Sequence, residues 1–192
     1  LDVSYKKMFD AYHKIFKEIG LNYTVVRADT GVMGGLLSEE FQAVTNIGED
    51  ILVMCDKCDF SSNIEISPNA ITTENNEEEK ELQLVETIGK HTIEEVCEYL
   101  NLDIKGTVKA MLMNVDNELV ILFIRGDREL NETKVLKLLG ASEIGFANDE
   151  LIATSNAVPG YTGPIGLNAK IVVDNEVLNM KNFCCGANKE NY

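Results

Sequence analysis

Seven consecutive residues, Thr107-Val108-Lys109-Ala110-Met111-Leu112-Met113, set one ammonium inside an otherwise apolar stretch. A run this short and this apolar reads as a buried strand. A second run, Glu118 to Ile124, follows across Val115-Asp116-Asn117, which suits a hairpin turn. Burying a charged group is costly, so a lysine in such a strand implies a purpose. Downstream lie two backbone-rich stretches, Gly163-Pro164-Ile165-Gly166 and Gly186-Ala187-Asn188. One cation sharing a pocket with exposed main-chain N–H groups would suit a phosphate or a polarised carbonyl.

The chain's 192 residues, 45% of them hydrophobic, allow one good core and a second smaller piece. No apolar run approaches the roughly 20 residues that span a bilayer, and Leu1-Asp2-Val3-Ser4 lacks the pattern of a signal peptide, so the expectation is a cytoplasmic protein with no membrane partner. A net charge of −15, shared by both halves, argues against generic binding to polyanions. An RNA partner would have to be contacted over a small area, with something else supplying the grip. Five cysteines are an odd number for a disulfide scaffold. Cys55-x-x-Cys58 has no second pair and no nearby histidine, and reads either as half of a metal site or as a solvated turn. His13 and His91 are too far apart in sequence to suggest a histidine-based triad or metal centre, so no metal ligands are assigned.

Tyr5, Met8, Phe9, Tyr12, Ile15, Phe16 and Ile19 recur at helical spacing before Gly20, which predicts an amphipathic helix. Strands are expected at 22–27, 51–54 and, more weakly, 63–66, with a glycine-bearing loop over 28–35 that lacks phosphate-loop spacing. Residues 68–83 turn polar and acidic and read as a solvated linker. Thr92-Ile93-Glu94-Glu95 has capping-box spacing for a helix with an apolar face at Ile93, Val96, Cys97 and Leu100. Asn131 is placed to cap a helix ending at Gly140, followed by a strand over 143–146, a short helix from Asn148 and a strand over 170–174. Mixed strand and helix order of this kind predicts an α+β domain.

Along nearly its whole length the sequence resembles the bacterial-type prolyl-tRNA synthetases. Residues 1–67 resemble a fragment of the class II catalytic domain through Ala28-Asp29-Thr30-Gly31, Gly34-Gly35, Ser38-Glu39-Glu40-Phe41 and Gly48-Glu49-Asp50. Residues 84–192 resemble the editing domain inserted into it, through Thr107-Val108-Lys109, Arg125-Gly126-Asp127, Glu129-Leu130-Asn131-Glu132, Gly163-Pro164, Val172-Val173-Asp174, Phe183 and Gly186-Ala187-Asn188. The resemblance implies a mixed, strongly curved, barrel-like sheet flanked by helices, joined to a small N-terminal α/β piece. It also implies hydrolysis of alanine wrongly attached to proline tRNA, with the aminoacylated 3′ end of that tRNA and the rest of the synthetase as partners. The parent would be a homodimer using ATP and Mg²⁺, whereas editing would need no cofactor. The catalytic-domain piece lacks the ATP-binding arginine motifs of class II enzymes, so aminoacylation is not expected of these residues alone.

By resemblance, the essential lysine falls on Lys109, and substrate-binding positions on Thr87, Gly163, Pro164, Gly166, Asp174, Gly186, Ala187 and Asn188. The family pattern places a histidine shortly after the Gly-Ala-Asn loop, and this sequence reaches Tyr192 without one. We read the chain as a piece of a longer synthetase. Each residue also has a plainer reading. Lys109 could be an edge-strand lysine that blocks aggregation. Asp174 could end a strand at a turn, Thr87 could be an ordinary exposed threonine, Gly163-Pro164 a turn, and Gly186-Ala187-Asn188 a frayed end. Arg125-Gly126-Asp127 reads as a structural turn with an ion pair. A free-standing trans-acting deacylase and a non-catalytic module that binds the acceptor end are the alternatives at the level of the whole chain.

Overall fold

The computed structural model describes residues 1–30, 38–69, 71 and 75–192. The chain forms two compact units, Leu1–Asn69 and Ala70–Tyr192. The predicted glycine-bearing loop lies outside the described residues from Gly31 onward.

In the first unit, helix α1 (Asp2–Glu18) ends where Gly20 adopts φ +70°. Its Phe9, Tyr12, His13 and Phe16 all pack on the ring of Phe41. Phe41 belongs to β2 (Glu39–Ala43), part of a four-stranded sheet with β1 (Tyr23–Arg27), β3 (Leu52–Met54) and β4 (Ser61–Asn63), ordered β2-β1-β4-β3. β1 runs antiparallel to β2 and parallel to β4. The sequence did not suggest β2, whose one large apolar side chain is Phe41; its extended state comes from five-residue pairing with β1. The strand expected over 63–66 instead ends at Asn63, whose side-chain oxygen accepts the Ile66 N–H at 3.3 Å and turns the chain.

In the second unit the two apolar runs form β5 (Val108–Val115) and β6 (Glu118–Arg125), joined in eight antiparallel pairs from Val108↔Arg125 to Val115↔Glu118. Asp116 and Asn117 take φ +48° and +69° between them, left-handed at both central positions as a tight hairpin requires. The Asp116 carboxylate also accepts the N–H groups of Ser142 and Glu143, at 3.1 and 2.9 Å, and so anchors the start of β7 (Ile144–Phe146). β7 lies antiparallel to β5, and β8 (Lys170–Val173) parallel to β6. The sheet order β7-β5-β6-β8 is open. The barrel-like sheet expected from the resemblance is therefore corrected: edge strands of three and four residues are too short to meet and close it.

Strand alternation sorts the core onto two faces. Met113, Val115, Val120 and Leu122 meet Val135 of α3 (Glu132–Leu139), while Val108, Ile121 and Phe123 meet Val177 of α5 (Asn175–Leu178) and the chain around Ala157, Leu167 and Phe183. Helix α2 (Ile93–Leu100) starts with the predicted capping box, and a short helix α4 (Asp149–Ile152) is capped by Asn148. The acidic stretch is not free of contacts: Asn182 bonds Glu77, the Glu78 carbonyl and the Lys80 N–H, and Lys181 pairs with Glu79.

At the far end of β6, Arg125 forms a two-pronged pair with Asp127 at 2.6 and 3.0 Å. Arg128 grips Glu176 of α5 at 2.6 and 2.8 Å. The expected structural ion pair is thus part of a four-residue cluster that fixes the turn after β6 against α5. The Arg125 hydrogen bonds hold the Asp127 carboxyl below its usual range, and those of Arg128 do the same for Glu176.

Two outcomes follow for stability. Both carboxyls have lowered folded-state pKa values, so their contribution is present above about pH 4, where unfolded carboxylates ionise, and is lost as pH falls through the lowered values. The urea midpoint should drop across that acid range, and Glu176→Gln should flatten the drop; an identical acid profile in the variant would contradict this. Asp116→Ala removes the acceptor of two N–H groups and should cost about 1–2 kcal/mol in urea denaturation with an unchanged slope.

Candidate active site

Lys109 sits near the start of β5, paired with Ile124. It is not an edge residue. On the other side of β5, Cys184 bridges Thr107 in parallel, with Val108 N–H to Cys184 O at 2.8 Å and Cys184 N–H to Gly106 O at 3.0 Å. The edge-strand reading of Lys109 therefore fails. Its side chain is 26% exposed, and its ammonium lies 3.3 Å from the carboxylate of Glu129, which is 92% exposed. The lone buried cation suggested by the sequence is in fact a largely covered stem whose head is ion-paired at the rim. Sequence reading missed this partner, because Glu129 lies twenty residues away across the hairpin.

Asp174 continues the line of Lys109 and Ile124. Its N–H bonds the Phe123 carbonyl at 2.9 Å, the parallel-sheet contact that puts it beside Ile124 one step beyond the Phe123↔Val173 pair. Residues in one such row share a face, and strands are spaced about 4.8 Å apart, so the Lys109 and Asp174 backbones lie roughly 10 Å from each other. The Asp174 carboxylate also accepts the Glu176 N–H at 2.8 Å and caps α5. Its plainer role as a strand-ending turn residue is thus real, and it is compatible with a binding role because a carboxylate has several acceptor sites.

The two glycine-bearing stretches meet. A Cβ on Gly163 would lie 1.8 Å from the Gly186 carbonyl oxygen, and one on Gly186 would lie 2.3 Å from the Tyr161 carbonyl. Only two glycines permit this crossing. Asn188 locks it: its Oδ1 accepts the Gly163 N–H at 3.0 Å, while its Nδ2 donates to the carbonyls of Gly163 at 2.9 Å and Ile165 at 2.8 Å. Asn188 itself adopts φ +54°, and its N–H bonds Tyr161 O at 2.8 Å. The Gly186-Ala187-Asn188 stretch is accordingly no frayed end.

This lock changes the expected supply of main-chain donors. The N–H groups of Gly163, Ala187 and Asn188 are spent on Asn188, Tyr192 and Tyr161. The N–H groups of Ile165, Gly166 and Gly186 donate to no group among the described residues. Phe183 and Cys185 pack into the α5-side core, and Gly186 lies two residues beyond the parallel Thr107–Cys184 bridge, as Lys109 does on β5. A Cβ on Gly186 would meet Tyr161 and Thr162, so the Tyr161–Gly163 segment passes directly against it. Pro164 is exposed, and Gly166 takes φ +77° in the same loop.

Thr87 is buried, at 6% exposure, which rules out an ordinary surface threonine. Its N–H bonds Asn191 O at 2.8 Å, and the neighbouring Glu86 accepts from the Tyr192 hydroxyl at 2.8 Å. His91, which sequence reading set aside, meets the Tyr161 hydroxyl at 3.2 Å beside the glycine crossing. No three His, Cys, Asp or Glu residues gather as metal ligands among the described residues. The arrangement offers one cation, one carboxylate in the same row, the unspent amides of Ile165, Gly166 and Gly186 and a tightly bonded loop, which can hold an anionic, carbonyl-bearing ligand.

Residues 87–192 match the family model of the aminoacyl-tRNA editing domain. The whole chain aligns with proteins named proline–tRNA ligase, at 45% identity in Caldicellulosiruptor saccharolyticus and 39% in Desulfotalea psychrophila, spanning 34% of each of those proteins. The chain thus covers about a third of the length of these curated relatives. Among solved structures, the hypothetical protein APE2540 matches 56% of this chain and 74% of its own, with a TM-score of 0.50 and 24% sequence identity, which shows a shared fold. No helix among the described residues is long and apolar enough to cross a membrane. With more than half of its residues matched by one family model, the chain belongs to the aminoacyl-tRNA editing domain family.

Proposed function

We propose that this chain is the editing portion of a proline–tRNA ligase, and that it hydrolyses the ester of alanine mischarged on proline tRNA. The observation that carries the reading is the joint placement of Lys109, Asp174 and the Gly163–Gly186 crossing within the residues matched by the editing family. Residues 1–69 are read as a piece of the class II catalytic domain, because the alignments to proline–tRNA ligases extend over them as well. Arg27 is the one arginine before Asn69, so this piece has no set of guanidinium forks for a triphosphate, and any ATP and Mg²⁺ chemistry would belong to the rest of the parent. The rest of the synthetase and the aminoacylated tRNA 3′ end are the partners in this reading, with a homodimeric parent.

An aminoacyl ester is already activated, so its hydrolysis needs a placed water and stabilisation of the developing oxyanion. Lys109 exchanges Glu129 for the terminal phosphate or the ester carbonyl. The Gly186 N–H is aimed as a donor at the oxyanion, in a loop that Asn188 holds against relaxation. Asp174 offers a carboxylate to the α-ammonium of the amino acid. Thr87 and the Gly163-Pro164-Ile165-Gly166 loop form the walls. Selection rests on size: a hydrophobic site gains only about 1–3 kcal/mol per methylene, so a synthetic site built for proline needs a second, smaller pocket to remove alanine.

Lys109→Ala should lower deacylation of alanyl-tRNA(Pro) by about 10²–10³-fold while the far-ultraviolet spectrum and thermal midpoint stay unchanged; near-normal turnover would remove the lysine from the mechanism. Gly186→Ala forces a methyl into the Tyr161 backbone and should destabilise the second unit by about 1–3 kcal/mol in urea titration. Cysteinyl-tRNA(Pro), whose amino acid is close to proline in size, should be cleared poorly beside alanyl-tRNA(Pro) in the same assay.

A further inference from the structure

The five cysteines fall into two kinds. Cys97 is buried and Cys184 and Cys185 are partly buried; desolvation pushes all three thiols up, Cys185 to about 11. Cys55 and Cys58 are exposed, in the turn that joins β3 to β4. That turn is held at its mouth by the Met54↔Ser61 pair and by the Cys55 N–H to Phe60 O bond of 3.0 Å. Inside it, the Cys55 Sγ accepts the Lys57 N–H at 3.4 Å. The Lys57 N–H, followed by the thiol and backbone of Cys58, favours the thiolate and lowers the Cys55 pKa. Both cysteines are exposed and line an open concavity shared with His13 and Lys17, so a small solute reaches them. Among the described residues no third ligand joins them, which sets a closed zinc site aside.

We propose that Cys55 and Cys58 form a hydroperoxide-responsive dithiol, with Cys55 as the attacking sulfur and Cys58 as the resolving one. The Cys55 thiolate attacks a peroxide oxygen; an S–O bond forms, the O–O bond breaks, and the departing oxygen takes a proton and leaves as water or an alcohol. Cys55 loses two electrons to become a sulfenic acid, and the peroxide is reduced. Cys58 then attacks that sulfur. The S–S bond forms as the S–O bond breaks, and hydroxide leaves with the Cys58 proton as water. The two cysteines share one short turn closed at its mouth by the Met54↔Ser61 pair, so the second step stays within the hairpin.

The test treats the reduced full chain with hydrogen peroxide, blocks free thiols by alkylation and maps the peptides by mass. The expected result is loss of two hydrogens in the peptide holding Cys55 and Cys58, with Cys97, Cys184 and Cys185 still alkylated. Cys58→Ser should leave a sulfenic acid on Cys55 that dimedone traps, and Cys55→Ser should slow oxidation of Cys58 by about tenfold or more. Prior oxidation of Cys184 or Cys185, absence of a dimedone adduct on Cys55 in Cys58→Ser, or equal oxidation rates in the two single variants would overturn the proposal.

Discussion

The register of the β5–β6 hairpin governs the second unit. Eight pairs closed by two left-handed residues leave no freedom of alignment, and a slip of one residue would turn every side chain to the opposite face. Met113, Val115, Val120 and Leu122 would then leave α3, and Val108, Ile121 and Phe123 would leave α5. The same register sets Lys109 beside Ile124, and the parallel contact of β8 brings Asp174 into that row. The candidate site is therefore a by-product of core packing: the hydrophobic alternation that makes the sheet also decides where the cation and the carboxylate stand.

A second constraint acts at right angles to the first. Two chain segments cross with no Cβ between them at Gly163 and Gly186, and one asparagine side chain closes three hydrogen bonds around the crossing. Such a lock spends the amides of Gly163, Ala187 and Asn188 internally. It leaves the amides of Ile165, Gly166 and Gly186 without an acceptor among the described residues, held in a rigid frame. The Arg125–Asp127 and Arg128–Glu176 pairs brace the opposite wall, where the chain leaves β6 and α5 begins.

Local patterns were legible in the sequence wherever the determinants were local. The capping box at Thr92, the Asn131 cap with Gly140 in the left-handed region, and the apolar runs of β5 and β6 are dictated by near neighbours. What was not legible depends on tertiary contact. β2 is extended because β1 pairs with it, and the polar residues of α5 become helical because Asp174 caps them at the edge of the sheet. The Lys109–Glu129 pair and the burial of Thr87 beneath Asn191 join residues whose proximity no local spacing encodes. An open sheet in place of a barrel follows from strand lengths, which flanking polar residues cut short in ways that residue type alone does not reveal.

The most direct measurement is a backbone-amide NMR titration of the chain with two non-hydrolysable ligands, adenosine carrying alanine or proline through a 3′-amide link. Shifts should concentrate at Lys109, Asp174, Gly163 and Gly186 with the alanyl compound, while the prolyl compound at the same concentration leaves them in place. Equal responses to both ligands, or shifts confined to residues away from this row and crossing, would contradict a size-selective site built on the β5–β6 register.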